Sequence, residues 1–99
     1  LGWALRSLPP GYRKVTELKR RVGASPDVGQ IVVSDGLAAV SVFIEPLGAR
    51  EGQPQVGLAR HGALNIYVRK LENHLVTVVG EVPAEGVRQI ADSVEYRRP

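Results

Sequence analysis

Residues 31–45 read IVVSDGLAAVSVFIE, and this stretch decides the fold. Its β-branched residues favour extended strands. Asp35-Gly36, in the middle, is the dipeptide that a two-residue hairpin turn prefers, because both central residues of that turn need positive φ angles. The sequence therefore predicts one strand over residues 29–34 and a second over residues 37–45, paired antiparallel.

The second of these strands is apolar on both faces. Side-chain alternation places Val40, Val42 and Ile44 on one face, and Ala39 and Phe43 on the other. A strand of this kind is typical of the centre of a sheet, where both faces are covered. We expect a helix to cover one face and another element to cover the other.

Further strands flank the hairpin on both sides. The segments with strand patterns are residues 1–8 (anchored by Trp3), 12–22, 63–71 and 75–80. Loops are expected over residues 23–27 and 46–62, and a turn over residues 72–74. Residues 46–62 are rich in glycine and charge, so we expect this longest loop to be the most mobile segment.

The end of the chain predicts a helix. Pro83 suits a first helical turn, where its missing N–H costs nothing. Val87, Ile90, Ala91 and Val94 follow at the spacing of one apolar helical stripe. The predicted fold is therefore α+β: an antiparallel sheet of about five strands with a carboxy-terminal helix of roughly three turns packed on one face.

The composition is that of one globular domain over residues 1–99. With 43% hydrophobic and 23% charged residues, the chain resembles ordinary folded domains, and its length suits a single core. The absence of cysteine excludes disulfides, thiolate zinc sites and a cysteine nucleophile. The chain starts at Leu1 and has no methionine, so we expect a piece of a longer protein. No run reaches the roughly 18 apolar residues of a membrane span.

Positive charge is concentrated near the start of the chain. The first 22 residues hold six basic residues and one acidic residue. Alternation along the strand over residues 12–22 places Arg13, Lys19 and Arg21 on one face. Such a stripe indicates an anionic partner, and a solvated strand face is the alternative. Nucleic acid is disfavoured as the partner because no aromatic residues for base stacking alternate with the basic ones.

The sequence offers no catalytic apparatus and no cofactor site. His61 and His74 are its only histidines and have no third ligand at metal spacing. Ser34 and Asp35 lack the surroundings of a nucleophile elbow, and no glycine cluster matches a phosphate-binding loop. We therefore expect a binding module that is not an enzyme and that uses no metal or cofactor.

Two segments resemble the carboxy-terminal domain of the RseB/MucB family. They are SDGLAAVSVFIEP over residues 34–46 and VTVVGEVP over residues 76–83. Trp3 and the run LPPGY over residues 8–12 add to the resemblance, which extends over nearly the whole chain. The combination of the two segments is specific, although either alone resembles a generic apolar strand.

The resemblance implies a periplasmic regulator of Gram-negative bacteria. Such a protein binds the periplasmic part of an RseA/MucA-type anti-sigma factor and shields it from the first regulatory protease, so that the envelope-stress sigma factor stays sequestered. In the family, a larger amino-terminal domain similar to LolA/LolB lipoprotein carriers is associated with sensing lipid or lipopolysaccharide signals. This chain resembles only the smaller carboxy-terminal domain, which contributes to anti-sigma factor binding.

Five basic residues are the predicted partner contacts: Arg13, Lys19, Arg21, Arg50 and Arg60. We expect the anti-sigma segment to contact an exposed sheet edge or the loop over residues 48–62, with these charges attracting its acidic residues. Pairing with a sheet edge supplies main-chain hydrogen bonds. Self-association through an open edge, a generic peptide-binding or inhibitor module, and an accessory domain of a lipid-handling envelope protein stay open as alternatives.

Overall fold

The structure, a computed structural model, describes residues 2–22, 25–47 and 55–96. Side chains are described within these ranges except at residues 20–22 and 25–27. The elements in chain order are β1 (Trp3–Leu5), β2 (Arg13–Val22), β3 (Ser25–Ser34), β4 (Ala39–Pro46), β5 (Gly57–His61), β6 (Leu64–Leu71), β7 (His74–Gly80), α1 (Ala84–Asp92) and β8 (Val94–Tyr96).

The strands form two antiparallel sheets. The larger sheet has six strands in the order β2-β3-β4-β7-β6-β5, and the smaller one pairs β1 with β8. The α+β class, the antiparallel sheet and the carboxy-terminal helix are confirmed. The count of about five strands falls short, because β5 and β8 were not predicted.

Apolar side chains on one face of the large sheet form the core together with α1. β4 is central, as predicted, and pairs with β3 on one side and β7 on the other. The buried side chains of this core are Ile31, Val33, Val40, Val42, Ile44, Val76, Val78, Val82, Val87, Ile90, Ala91 and Val94. The apolar stripe predicted for the helix therefore faces this core at Val87, Ile90 and Ala91.

Strand β6 holds the helix at both ends. Asn65 Nδ2 donates a hydrogen bond to Val82 O at 2.7 Å, just before α1 begins. Arg69 Nη1 donates one to Ala91 O at 3.0 Å, in the last turn. The carboxy-terminal end of a helix carries partial negative charge, and the last turn of α1 has no basic residue of its own. Arg69 therefore supplies the cation that stabilises this helix end from the neighbouring sheet.

The helix is shorter than predicted, and Val94 belongs to a strand. After α1 ends at Asp92, Ser93 Oγ donates a hydrogen bond to Ile90 O at 2.7 Å. The chain then reverses, and Val94 pairs with Leu5 across the small sheet. Val94 is still buried against the core. Its spacing in the sequence correctly indicated burial but not the change from helix to strand.

The loop predicted over residues 46–62 contains strand β5. β5 pairs with β6 through a two-residue turn, Gly62-Ala63, in which Gly62 has a φ of +60°. The side chains of β5 are mostly exposed, so the segment lacks the apolar alternation that marks a strand in sequence. The predicted loop over residues 23–27 is also too long, because β3 begins at Ser25.

Candidate functional site

The face of the six-stranded sheet opposite α1 is the candidate site, and we call it the open face. Residues directly opposite each other on paired strands share a face, so the register defines its rows of side chains. One row runs Thr16, Val32, Ser41, Val79, Ile66 and Ala59 across all six strands. The next row runs Leu18, Gln30, Phe43, Thr77, Val68 and Gly57.

This face corrects the prediction that an element covers each side of β4. On the helix side, Val40 and Val42 are fully buried in the core. On the other side, Phe43 and Ser41 stay half-buried and Ala39 is exposed. Within the described residues, the second apolar face of β4 is therefore a partly exposed surface, and such surfaces are typical of interaction sites.

A cleft of about 580 Å³ lies at one end of the open face. Its lining residues are Leu37, Ala38, Ala39, Ser41, Phe43, Leu64, Val79, Gly80 and Glu81. The small side chains of Ala39 and Ser41 leave the space. Leu37, in the turn before β4, and Leu64, the first residue of β6, lie at the same end of the sheet. Glu81 is the one charged residue in this lining.

The turn that carries Leu37 has four residues, not the two that were predicted. Ser34 pairs with Ala39, which leaves Asp35–Ala38 as the connection. Asp35 Oδ1 accepts hydrogen bonds from the backbone N–H groups of Leu37 and Ala38, both at 2.9 Å. These bonds, from Ala38 first and then Leu37, lower the pKa of the Asp35 carboxyl below its usual value.

Ser34 fixes the same turn from the other side. Its Oγ donates a hydrogen bond to Ala38 O at 2.8 Å and accepts one from the N–H of Gly36 at 3.0 Å. Gly36 has a φ of +95°, a conformation that suits glycine. The Asp35–Ala38 turn is therefore held by side-chain and backbone hydrogen bonds, while the Leu37 side chain is 97% exposed.

The prediction that Arg13 and Lys19 share one face is wrong. Arg13 lies opposite Ser34 and therefore belongs to the open face, whereas Lys19 lies opposite Gly29 and belongs to the helix side of the sheet. The register shifts between Lys14 and Thr16. This bulge reverses the alternation that the sequence implied. The Arg21 side chain lies outside the described side chains.

The other predicted contacts lie elsewhere. Arg60 is exposed on β5, opposite Asn65, and its Nε donates a hydrogen bond to Gly62 O at 3.0 Å. Arg50 lies outside the described residues. The structure thus separates Arg13 and Lys19 by the thickness of the sheet and places Arg60 on the opposite edge strand. The five predicted residues do not define one described patch.

The two sheet edges differ in their regularity. β2 has two register shifts and an ion pair between Lys14 Nζ and Glu17 Oε1 at 2.7 Å. The hydrogen bond from Lys14 lowers the pKa of Glu17. Bulges and charges of this kind hinder pairing with another chain. The β5 edge is short and pairs with β6 in regular register.

His74 is partly buried beside an aromatic residue. It packs edge-on against Trp3 with ring centroids 4.7 Å apart, and its buried Nδ1 has no hydrogen-bond partner among the described residues. No group of three His, Asp or Glu residues capable of holding a metal ion occurs within the described ranges. No helix among the described residues is long and apolar enough to cross a membrane.

Comparison with known proteins decides the family. The family model of the MucB/RseB C-terminal domain matches residues 1–95. The chain belongs to the MucB/RseB C-terminal domain family. Among curated relatives, it is 37% identical over 100 residues to the sigma factor AlgU regulatory protein MucB of Pseudomonas aeruginosa. It is 26% identical over 97 residues to the sigma-E factor regulatory protein RseB of Salmonella typhimurium.

These matches cover most of the chain but only part of each relative. The MucB match covers 95% of this chain and 31% of MucB, and the RseB match covers 96% of this chain and 30% of RseB. The chain thus spans about a third of the length of the curated relatives it matches. It corresponds to one domain of a longer regulatory protein in these relatives.

Solved structures of MucB share the fold over the whole chain. MucB in its complex with the periplasmic part of MucA matches with a TM-score of 0.82 and 30% identity, covering 100% of this chain and 38% of that one. A second MucA/MucB complex from Pseudomonas aeruginosa gives a TM-score of 0.79 and 31% identity, covering 100% and 36%. The family assignment made from sequence motifs is confirmed.

Leu37, Leu64 and Glu81 were missed as candidate site residues. In the sequence, Leu37 and Leu64 look like ordinary apolar strand residues, and Glu81 looks like a solvated residue at a strand end. One signal was available: Leu37 directly follows Asp35-Gly36 and therefore falls next to a turn. From the sequence alone, a four-residue turn cannot be distinguished from a two-residue turn here. The first exposes this leucine, and the second places it in the strand.

Proposed function

We propose that this MucB/RseB C-terminal domain is part of a periplasmic regulator that binds the periplasmic segment of a MucA/RseA-type anti-sigma factor. The observation that carries the proposal is the match of the whole chain to MucB in its complex with the periplasmic part of MucA. By holding this segment, the regulator shields it from the first regulatory protease. The sigma factor then stays bound and inactive.

The open face is the surface we propose for this contact. Its two rows supply half-buried apolar side chains at Val32, Phe43, Ile66, Val68 and Val79. Burying such side chains contributes a favourable free energy of about 25 cal/mol per Å² of apolar surface. Binding of this kind needs shape and apolar area rather than catalytic groups, in keeping with the regulatory role of the relatives.

Arg13 is the basic residue we retain as a contact on this face. It is exposed at the end of the open face, opposite Ser34 and next to the Leu37 turn. A rim charge of this kind chiefly increases the association rate and makes binding sensitive to salt. Contacts by Arg21, Arg50 and Arg60 remain predictions, and Lys19 lies on the opposite side of the sheet.

The test is calorimetric titration of the full-length protein with the periplasmic segment of the anti-sigma factor from the same organism. A scrambled segment of equal composition is the control. We expect saturable binding of the native segment only, and slower cleavage of that segment by the regulatory protease when the protein is bound. Absence of binding by the full-length protein would contradict the proposal.

A further inference from the structure

Leu37 places a large apolar side chain in solvent. Its side chain is 97% exposed, the highest value among the large apolar residues of the described chain. A polar residue would suit a solvated turn equally well, because it would not expose apolar surface to water. Single exposed apolar residues are common, but this one borders a cleft lined mostly by apolar residues. The combination is typical of an anchor for a partner.

We propose that Leu37 and the cleft beside it anchor an apolar part of the anti-sigma segment, with a basic residue of that segment placed against Glu81. This inference rests on the proposed function and specifies where and through which chemistry the segment binds. The bound part lies between Leu37 and Leu64, over Ala39 and Ser41.

The rigidity of the turn supports its role as an anchor. Asp35 and Ser34 hold it through four side-chain hydrogen bonds, two made by Asp35 Oδ1 and two by Ser34 Oγ. A contact residue on a fixed backbone loses less conformational freedom on binding than one on a loose loop. Leu37 is therefore presented in a defined position before the partner arrives.

The chemistry of the cleft selects the occupant. Seven of the nine lining residues have apolar side chains or are glycine, Ser41 is a small polar residue, and Glu81 brings a negative charge. The volume of about 580 Å³ lies within the range of about 300–1,000 Å³ of ordinary ligand sites. Apolar side chains of a bound segment fill the cleft, and a lysine or arginine beside them is complementary to Glu81.

A matched pair of leucine variants tests the anchor. Leu37→Ser is compared with Leu58→Ser, which makes the same change at a side chain 55% exposed on the helix side of the sheet. Affinity for the anti-sigma segment is measured by calorimetry on the full-length protein. We expect Leu37→Ser to weaken binding about ten-fold or more and Leu58→Ser to change it less than about two-fold.

A matched pair of charge-reversal variants tests the proposed role of Glu81. Glu81→Lys borders the cleft, and Glu85→Lys makes the same change on α1. We expect Glu81→Lys alone to weaken binding, by about three-fold to ten-fold at low salt and less at high salt. Thermal unfolding of each variant shows whether the fold is retained.

The outcomes separate the two proposals. If the wild-type protein does not bind the segment, the proposed function fails and this inference fails with it. If the wild-type protein binds and Leu37→Ser binds equally well, the function stands and the anchor is overturned. A loss confined to Leu58→Ser would place the segment at the β5 edge and would also overturn the anchor.

Discussion

Gly80 lies where a side chain would collide with the neighbouring strand β4. It pairs with Val40 across β4 and β7. A Cβ atom at position 80 would lie 2.8 Å from Val40 Cγ2 and 3.4 Å from Ala39 O. Since Val40 is fully buried, the structure has little room to adjust. Gly80 is therefore required by packing and not by a special backbone angle.

Two glycine-to-alanine changes are expected to have opposite effects. Gly80→Ala should lower the free energy of unfolding by about 1–3 kcal/mol, because it overpacks the core. Gly86→Ala, within α1, meets Val82 at an ordinary contact distance of 3.4 Å. It should raise the free energy of unfolding by up to about 1 kcal/mol, because alanine favours the helix. Urea denaturation of both variants measures this, and equal effects would contradict the packing account.

Asp35 links the stability of the Leu37 turn to pH. Its pKa is lowered in the folded protein, so the unfolded state binds more protons in this range and folding is favoured as the pH rises. The stabilisation is complete above the usual value of 3.8 and is lost as the pH falls through the folded-state pKa.

Asp35→Asn should remove this pH dependence. We expect the difference in unfolding free energy between wild type and variant to be largest near neutral pH and to shrink as the pH falls below about 4. Denaturant titrations at several pH values measure the difference. Glu17, whose pKa is also lowered, contributes equally to the pH dependence of both proteins. Its contribution therefore cancels in the difference between their unfolding free energies. A difference that stays constant across the pH series would contradict the role of the carboxylate.

At the scale of single elements, strand β2 shows where sequence patterns fail. Its extent was predicted well, since Arg13–Val22 differs from the predicted strand by one residue. The faces on which its side chains lie were not predicted correctly, because the bulge after Lys14 adds a residue that no alternation pattern reveals. The bulge also brings Lys14 and Glu17, three residues apart, onto one face as an ion pair.

Because the bulge places Arg13 and Lys19 on opposite faces of the sheet, we expect their substitution to have different effects. Arg13→Glu should weaken binding of the anti-sigma segment by about two-fold to five-fold at low salt. Lys19→Glu, on the helix side, should leave affinity nearly unchanged. Calorimetry at low and high salt measures both. Equal losses for the two variants would indicate that the segment does not distinguish the two faces, contrary to the structure.

The short or exposed strands are the elements that could not be predicted from the sequence. β8 has three residues and β5 has one half-buried residue among five, so neither carries a periodic pattern long enough to read. β8 pairs with β1, which lies at the other end of the chain, whereas β5 pairs with β6 across the two-residue turn Gly62-Ala63. By contrast, the core strands and α1 combine periodicity with turn or helix-start signals, and these elements were predicted.

At the scale of the whole molecule, the sheet has two different sides. One side packs on α1, whose amino-terminal and carboxy-terminal ends are held by Asn65 and Arg69 of β6. The other side presents the two rows of mixed apolar and small polar side chains, and the cleft. The sequence indicated that β4 is apolar on both faces, which is correct, but no described element buries the second face. The candidate site was missed for this reason, while the family was recognised from its motifs.

The contact surface can be located by methyl NMR spectroscopy of the protein during titration with the anti-sigma segment. We expect shift changes at the methyl groups of Leu37, Leu64 and Val79 at the cleft end of the open face. Leu58, on the helix side of the sheet, and Val87, on the buried face of α1, should change little. Shift changes confined to Leu58 and its neighbours, with the open-face methyl groups unaffected by saturating segment, would contradict the proposed contact surface.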